Sequence, residues 1–192
     1  MDTYHVVLYL HLLSLFIGIG AGSVLLACLF QLRAARTVEQ AVPWGIMSGK
    51  VARLFPVAIL GLFATGAYMT SKVWTWDTGW IVVAIAGLVV LGVQGGGIAE
   101  HTAKKLQAAM QANGPGSLGP EARRMTLHPG LWVVELSNLG LVLAIVWNMT
   151  EKPGWGKSIA AALVGYAVGA GLALLASRAP QEELASAADP AG

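Results

Sequence analysis

Residues 4–32 read YHVVLYLHLLSLFIGIGAGSVLLACLFQL, a run without a single Asp, Glu, Lys or Arg. About 20 apolar residues cross the roughly 30 Å hydrocarbon layer of a bilayer, so this run reads as a membrane-spanning helix. Only Met1, Asp2 and Thr3 precede it. It lacks a basic lead and exceeds the length of a signal-peptide core, so it reads as a retained span. Four further runs have the same character, at about 52–71 (with a polar-tolerant lead-in from Trp44), 79–103, 130–149 and 158–177. They are continuous rather than alternating, which predicts helices and excludes a barrel. The expected fold is an all-α membrane protein: an up-down bundle of four core transmembrane helices plus a fifth, C-terminal transmembrane helix. One domain would cover residues 1–178. Residues 179–192, rich in Ala, Pro and acid, predict a disordered cytoplasmic tail.

Composition agrees. The 192 residues are 56% hydrophobic and 11% charged, less than half the charge of a soluble domain, which is about 25%. The net charge of +2 comes without any block of five or six like charges, so nucleic acid is not an expected partner. The bilayer is. Cys28, the only cysteine, cannot form an internal disulfide and reads as buried filler. No P-loop, HExxH, GxSxG or CxxC is present, which removes the soluble-type hydrolases and nucleotide enzymes.

The few cations set an orientation. Arg33, Arg36, Lys50, Arg53, Lys104, Lys105, Arg123, Arg124 and Arg178 fall on one side of the five runs, and Lys72, Lys152 and Lys157 on the other. Positive charge favours the cytoplasm, so the expectation is a bacterial inner-membrane protein with its N-terminus outside and its C-terminus cytoplasmic. Trp74, Trp76, Trp80, Trp147 and Trp155 would sit at the outer interface, and Trp44 and Trp132 at the inner one.

Polar residues at depth carry function in membrane proteins. At 100° per residue, Ser14, Gly18 and Gly22 lie within about 60° of His11, and small residues spaced by four make close helix contacts. His11 therefore points into the bundle, about 12 Å below the outer surface. Two readings stand for it: a core histidine bonded to a neighbouring helix, or a cofactor or metal ligand. Gly87, Gln94, Gly97 and His101 form a second stripe, beside the unusual room left by Gly95-Gly96-Gly97. His101 lies roughly 20 Å deeper than His11 along straight helices. The expectation is an outer site on His11 with a non-His partner, an inner site on His101 and His128, or both. Glu135 and Asn138 share one face of the fourth span, where Glu135 needs a partner such as Arg53, Arg123 or His128. Gly61, Thr65 and Tyr68 share a face suited to approaching the first span. Met69 and Met149 are candidate soft ligands for copper or heme iron.

Several stretches carry a resemblance: YHVVLYLHLLSLFIGIGAGSVLL, then RLFPVAILGLFATGAYM, a Trp-rich loop, a long third helix ending in basic residues, Arg123-Arg124, and LVLAIVWNMTEKP. Over about residues 4–153 the chain resembles an uncharacterised integral membrane family. The four-helix core of that family is similar to the copper resistance protein CopD and to HemJ-type protoporphyrinogen oxidase. The HemJ-like side implies heme b inside the bundle with His11 as ligand. The CopD-like side implies copper handling.

Three functions follow from these readings. The first is heme or metal binding with a redox or metal-handling role, in which His11 is the ligand and Gly18, Gly22 and Gly87 make room. The second is a non-enzymatic accessory or scaffold subunit, packing on a membrane partner or a second copy through its glycine stripes. The third is a small proton-coupled transporter built on Gln94, Glu135 and Asn138.

Overall fold

The computed structural model describes residues 2–178; the tail at 179–192 lies outside the described residues. The described chain is helical, without a strand. Its elements are α1 (Thr3–Ala34), α2 (Val38–Ala52), α3 (Leu54–Val73), α4 (Gly79–Gly92), a π-helical stretch (Val93–Ala99), α5 (Glu100–Asn113), α6 (Pro120–Leu127), α7 (Pro129–Glu151) and α8 (Trp155–Arg178). Five segments are long and apolar enough to cross a membrane, with α2 and α3 counting as one and α4 through α5 as another. The molecule is an all-α, multi-pass membrane bundle.

Its packing is inverted relative to a soluble protein. Large apolar side chains such as Phe16, Leu60 and Leu163 are exposed, while much of the interior is small: Ala21, Ala58, Ala84, Ala144 and Ala173. Lipid is as apolar as leucine, so burying leucine gains little there. Close approach of small residues, with the dispersion it permits, holds such helices together. The tightest seam joins α7 to α8. A Cβ added at Gly140 would strike the carbonyl of Gly165, and one at Gly169 would strike the carbonyl of Leu136. The fifth span thus spends its Gly165–Gly169 face on the core.

One end of the bundle is aromatic. Trp74 and Trp80 stack edge to face at 5.3 Å, and Lys152 Nζ lies 5.2 Å from the Trp74 ring. Trp155 backs directly onto Gly79. The turn between α7 and α8 is fixed by Lys152 in the left-handed region (φ 50°) and by buried Asn148, whose Nδ2 donates to Ser158 O at 3.2 Å.

The other end is basic and longer than the bilayer needs. At 1.5 Å per residue the 32 residues of α1 span about 48 Å. The surplus is wrapped by a collar of α2, α5 and α6, in which Leu32, Ala35, Ala41, Leu106, Met110 and Ala122 form one buried cluster. The α5 helix ends at Asn113, with Gly114 and Gly116 at positive φ. This turn docks on the start of α2: Val38 N donates to Gly116 O, and Leu118 N to Arg36 O. Gly116 N donates to Glu39 Oε1 at 2.8 Å. The amide hydrogens of Glu39 itself and of Gly116 hold the Glu39 carboxyl below the ordinary carboxylate range.

Arg123 on α6 ties the collar to the spans. Its Nη1 donates to Arg33 O at 2.8 Å and to Ala35 O at 3.0 Å, capping the last carbonyls of α1. Arg33 Nη1 in turn donates to Ala176 O at 2.8 Å. Charge-assisted bonds of this kind contribute about 1.5–3 kcal/mol. Arg123→Ala is therefore expected to destabilise the protein by about 2 kcal/mol, read as a lowered melting temperature in detergent. Arg123→Lys should recover only part of the loss, because the ammonium is more strongly hydrated and sits on a more flexible stem than the guanidinium.

The packing adds detail to these readings. Trp132, expected at the inner interface, is fully buried against Leu29 and Ala173 with the Arg33 guanidinium 5.1 Å above its ring. The lead-in from Trp44 is a separate helix, α2, broken from α3 at Arg53. The third span continues through Glu100 as expected, but it does so across the π-helical stretch.

Candidate functional site around His11

The α1 stripe faces α3 in antiparallel register. Gly22 lies opposite Phe55 and Gly18 opposite Ala58, Ser14 meets Gly61, and the His11 ring lies against Gly66. At the Gly18–Ala58 and Ser14–Gly61 levels both helices carry small residues, and that lets the axes close. The first expectation for this face, that His11 turns inward, is met: the residue is 7% exposed.

His11 Nδ1 lies 2.8 Å from Thr65 Oγ1. The Thr65 hydroxyl also bonds Gly61 O at 2.5 Å. A hydroxyl has one proton. Gly61 O can only accept, so Thr65 gives its proton to Gly61 and accepts from His11. That fixes the imidazole as the Nδ1–H tautomer and turns the Nε2 lone pair outward from this pair. A hydrogen bond to the Leu62 backbone holds the same ring. Metal-binding histidines are commonly oriented through an acceptor on one ring nitrogen.

The other candidate residues lie elsewhere. Gly87 is closed by Ile145 and Leu141 of α7. The room expected beside Gly18, Gly22 and Gly87 is therefore filled by neighbouring side chains. His101 is exposed on α5. His128 is exposed at the N-cap of α7, where its Nδ1 accepts from Gly130 N at 3.0 Å. Met69 is half-buried on α3, and Met149 packs on the cluster of Ala84, Leu141 and Ile145. Among the described residues no group of three His, Cys, Asp or Glu side chains is placed to hold a metal ion. No protein-family model, curated protein or solved structure matches the chain.

Gln94 sits in the π-helical stretch, where its Nε2 donates to Tyr166 OH at 2.9 Å and its Oε1 accepts from Ser137 Oγ at 3.5 Å. One amide thereby joins α7, α8 and the third span. Sequence reasoning missed Tyr166 and Ser137; neither has a periodic partner that would have singled it out. Glu135 makes no hydrogen bond or ion pair among the described residues, and Asn138 Oδ1 one turn on is buried without a partner. Of the cations expected to meet Glu135, Arg123 holds the α1 carbonyls, Arg53 is exposed at the α2–α3 break, and His128 caps α7.

Proposed function

We propose that this multi-pass protein holds heme b through His11 Nε2 and serves a redox or metal-handling role in a bacterial inner membrane, with its basic collar in the cytoplasm. The imidazole tautomer supports the reading: with Nδ1–H given to Thr65, Nε2 is the nitrogen that would bind iron. The donor set favours heme over a bare copper ion. Heme brings four nitrogen ligands of its own and needs one axial imidazole, whereas copper needs several protein donors. The resemblance to HemJ-type proteins supports the same choice. His11 would hold the group, while the Gly18–Gly22 stripe below it is occupied by α3. Heme would supply one-electron chemistry; the chain supplies the ligand, its orientation and a medium without water. The orientation rests on the basic residues at the collar end and the tryptophans at the other.

A second reading has its own observation. The His11–Thr65 bond is also a complete interhelical tie, suited to an accessory subunit without a cofactor. An absorption spectrum of protein purified in mild detergent, with metal analysis, separates the two. The expected result is a Soret band and iron near one per chain; absence of both leaves the accessory reading.

A further inference from the structure

At the aromatic end, a cleft of about 490 Å³ opens between the end of α7 and the start of α8. Trp147, Glu151, Trp155 and Lys157 line it, with Pro153, Gly154 and Gly156 adding little side-chain bulk. The walls are held from behind. Trp155 is seated on Gly79, and Ser158 Oγ donates to Pro153 O at 3.1 Å. Both indoles remain about half exposed. Glu151 and Lys157 carry opposite charges into the same cleft, yet no ion pair joins them, and among the described residues neither has another salt bridge.

We infer that this cleft binds the headgroup of a zwitterionic phospholipid bearing a primary amine, of the phosphatidylethanolamine type. A primary ammonium donates to the Glu151 carboxylate and lies against an indole face, where cations are attracted. The phosphate accepts from Lys157. The tryptophans sit where the glycerol and upper acyl carbons would lie, the level at which such rings concentrate in a bilayer. Acid, base and indole in one cleft match the headgroup's cation, anion and apolar root. A quaternary ammonium has no N–H to give Glu151, and an anionic headgroup offers it no cation. The inference stands apart from His11 and does not rest on a cofactor.

The test is native mass spectrometry of the full chain, titrated with phosphatidylethanolamine, phosphatidylcholine and phosphatidylglycerol of matched acyl chains. Wild type is expected to retain the ethanolamine lipid about tenfold over the other two. Glu151→Gln should bring it down to the choline lipid's level. Lys157→Gln should lower both zwitterionic lipids together. Trp147→Leu, checked for unchanged helicity, should weaken the ethanolamine lipid as a variant that leaves both charges intact. Equal retention of the three lipids by wild type, or undiminished selectivity in Glu151→Gln, would overturn the assignment. Displacement of the lipid by millimolar free phosphoethanolamine would also overturn it, by showing a soluble occupant.

Discussion

Gly169→Leu is expected to separate α8 from α7 and cost the protein more stability than any other single substitution considered. A Cβ at position 169 meets Leu136 O, Leu136 C and Ser137 Cα. All three are backbone atoms of a helix, and none can swing aside. Gly140 and Gly165 face each other across the same seam, so the axes must move apart along its whole length. Overpacking a core costs about 1–3 kcal/mol where side chains can yield; here only backbone is available, so about 3 kcal/mol or more is expected. Lipid replaces the lost contacts without restoring the fit. Unfolding in a titration with denaturing detergent should begin at clearly lower concentrations. Gly18→Ala is the control: the new methyl would lie 3.6 Å from Ala58 Cβ, an ordinary contact, and stability should change by less than about 1 kcal/mol. Equal effects at the two positions would refute the account of the seam.

The second large effect concerns the ligand. His11→Ala should abolish the Soret band and the bound iron. Thr65→Val touches no cofactor, but it removes the acceptor that fixes the imidazole. Loss of such an orienting partner typically weakens metal binding about 10–100-fold, so the variant should bind heme in titration with that loss. Thr65→Ser keeps the hydroxyl and should recover most of it. Stability falls by only about 1–2 kcal/mol in either variant, the scale of one hydrogen bond between membrane helices. A purely structural tie predicts otherwise: His11→Ala and Thr65→Val would lower the melting temperature alike, and no spectrum would change.

The spans were legible because the solvent is lipid, where about 20 consecutive apolar residues are a length requirement rather than a tendency. The His11–Gly22 stripe was legible because α1 is a regular helix, and the 100° period carried it intact onto Gly61 and Thr65. The second stripe failed past its middle. A π-helical stretch closes bonds five residues back rather than four, so each of its residues turns through less than 100°. Gly87 and Gln94 still reach α7, but Gly97 and His101 rotate out to exposed positions. Nothing local in VQGGGIA distinguishes that register from an α-helix with loose packing; the Gln94–Tyr166 contact, 72 residues apart in the chain, joins the stretch to α8. The α2–α3 break at Arg53 was legible from Pro56, which suits a helix's first turn and not its interior, whereas the short α6 is tied to α1 by Arg123, 90 residues from Arg33. The complete burial of Trp132 was not legible because its partners Leu29, Arg33 and Ala173 lie on other helices.

The collar bears on hydrophobic mismatch. A span that outruns its membrane ordinarily tilts or stretches the surrounding lipid. Here the excess of α1 is sheathed in protein at one end only, and the tryptophans anchor the other. The assembly has no need to lean when the host membrane is thin. Its helix angles should hold steady as lipid acyl chains are shortened or lengthened, with the difference taken up where the collar meets the headgroups.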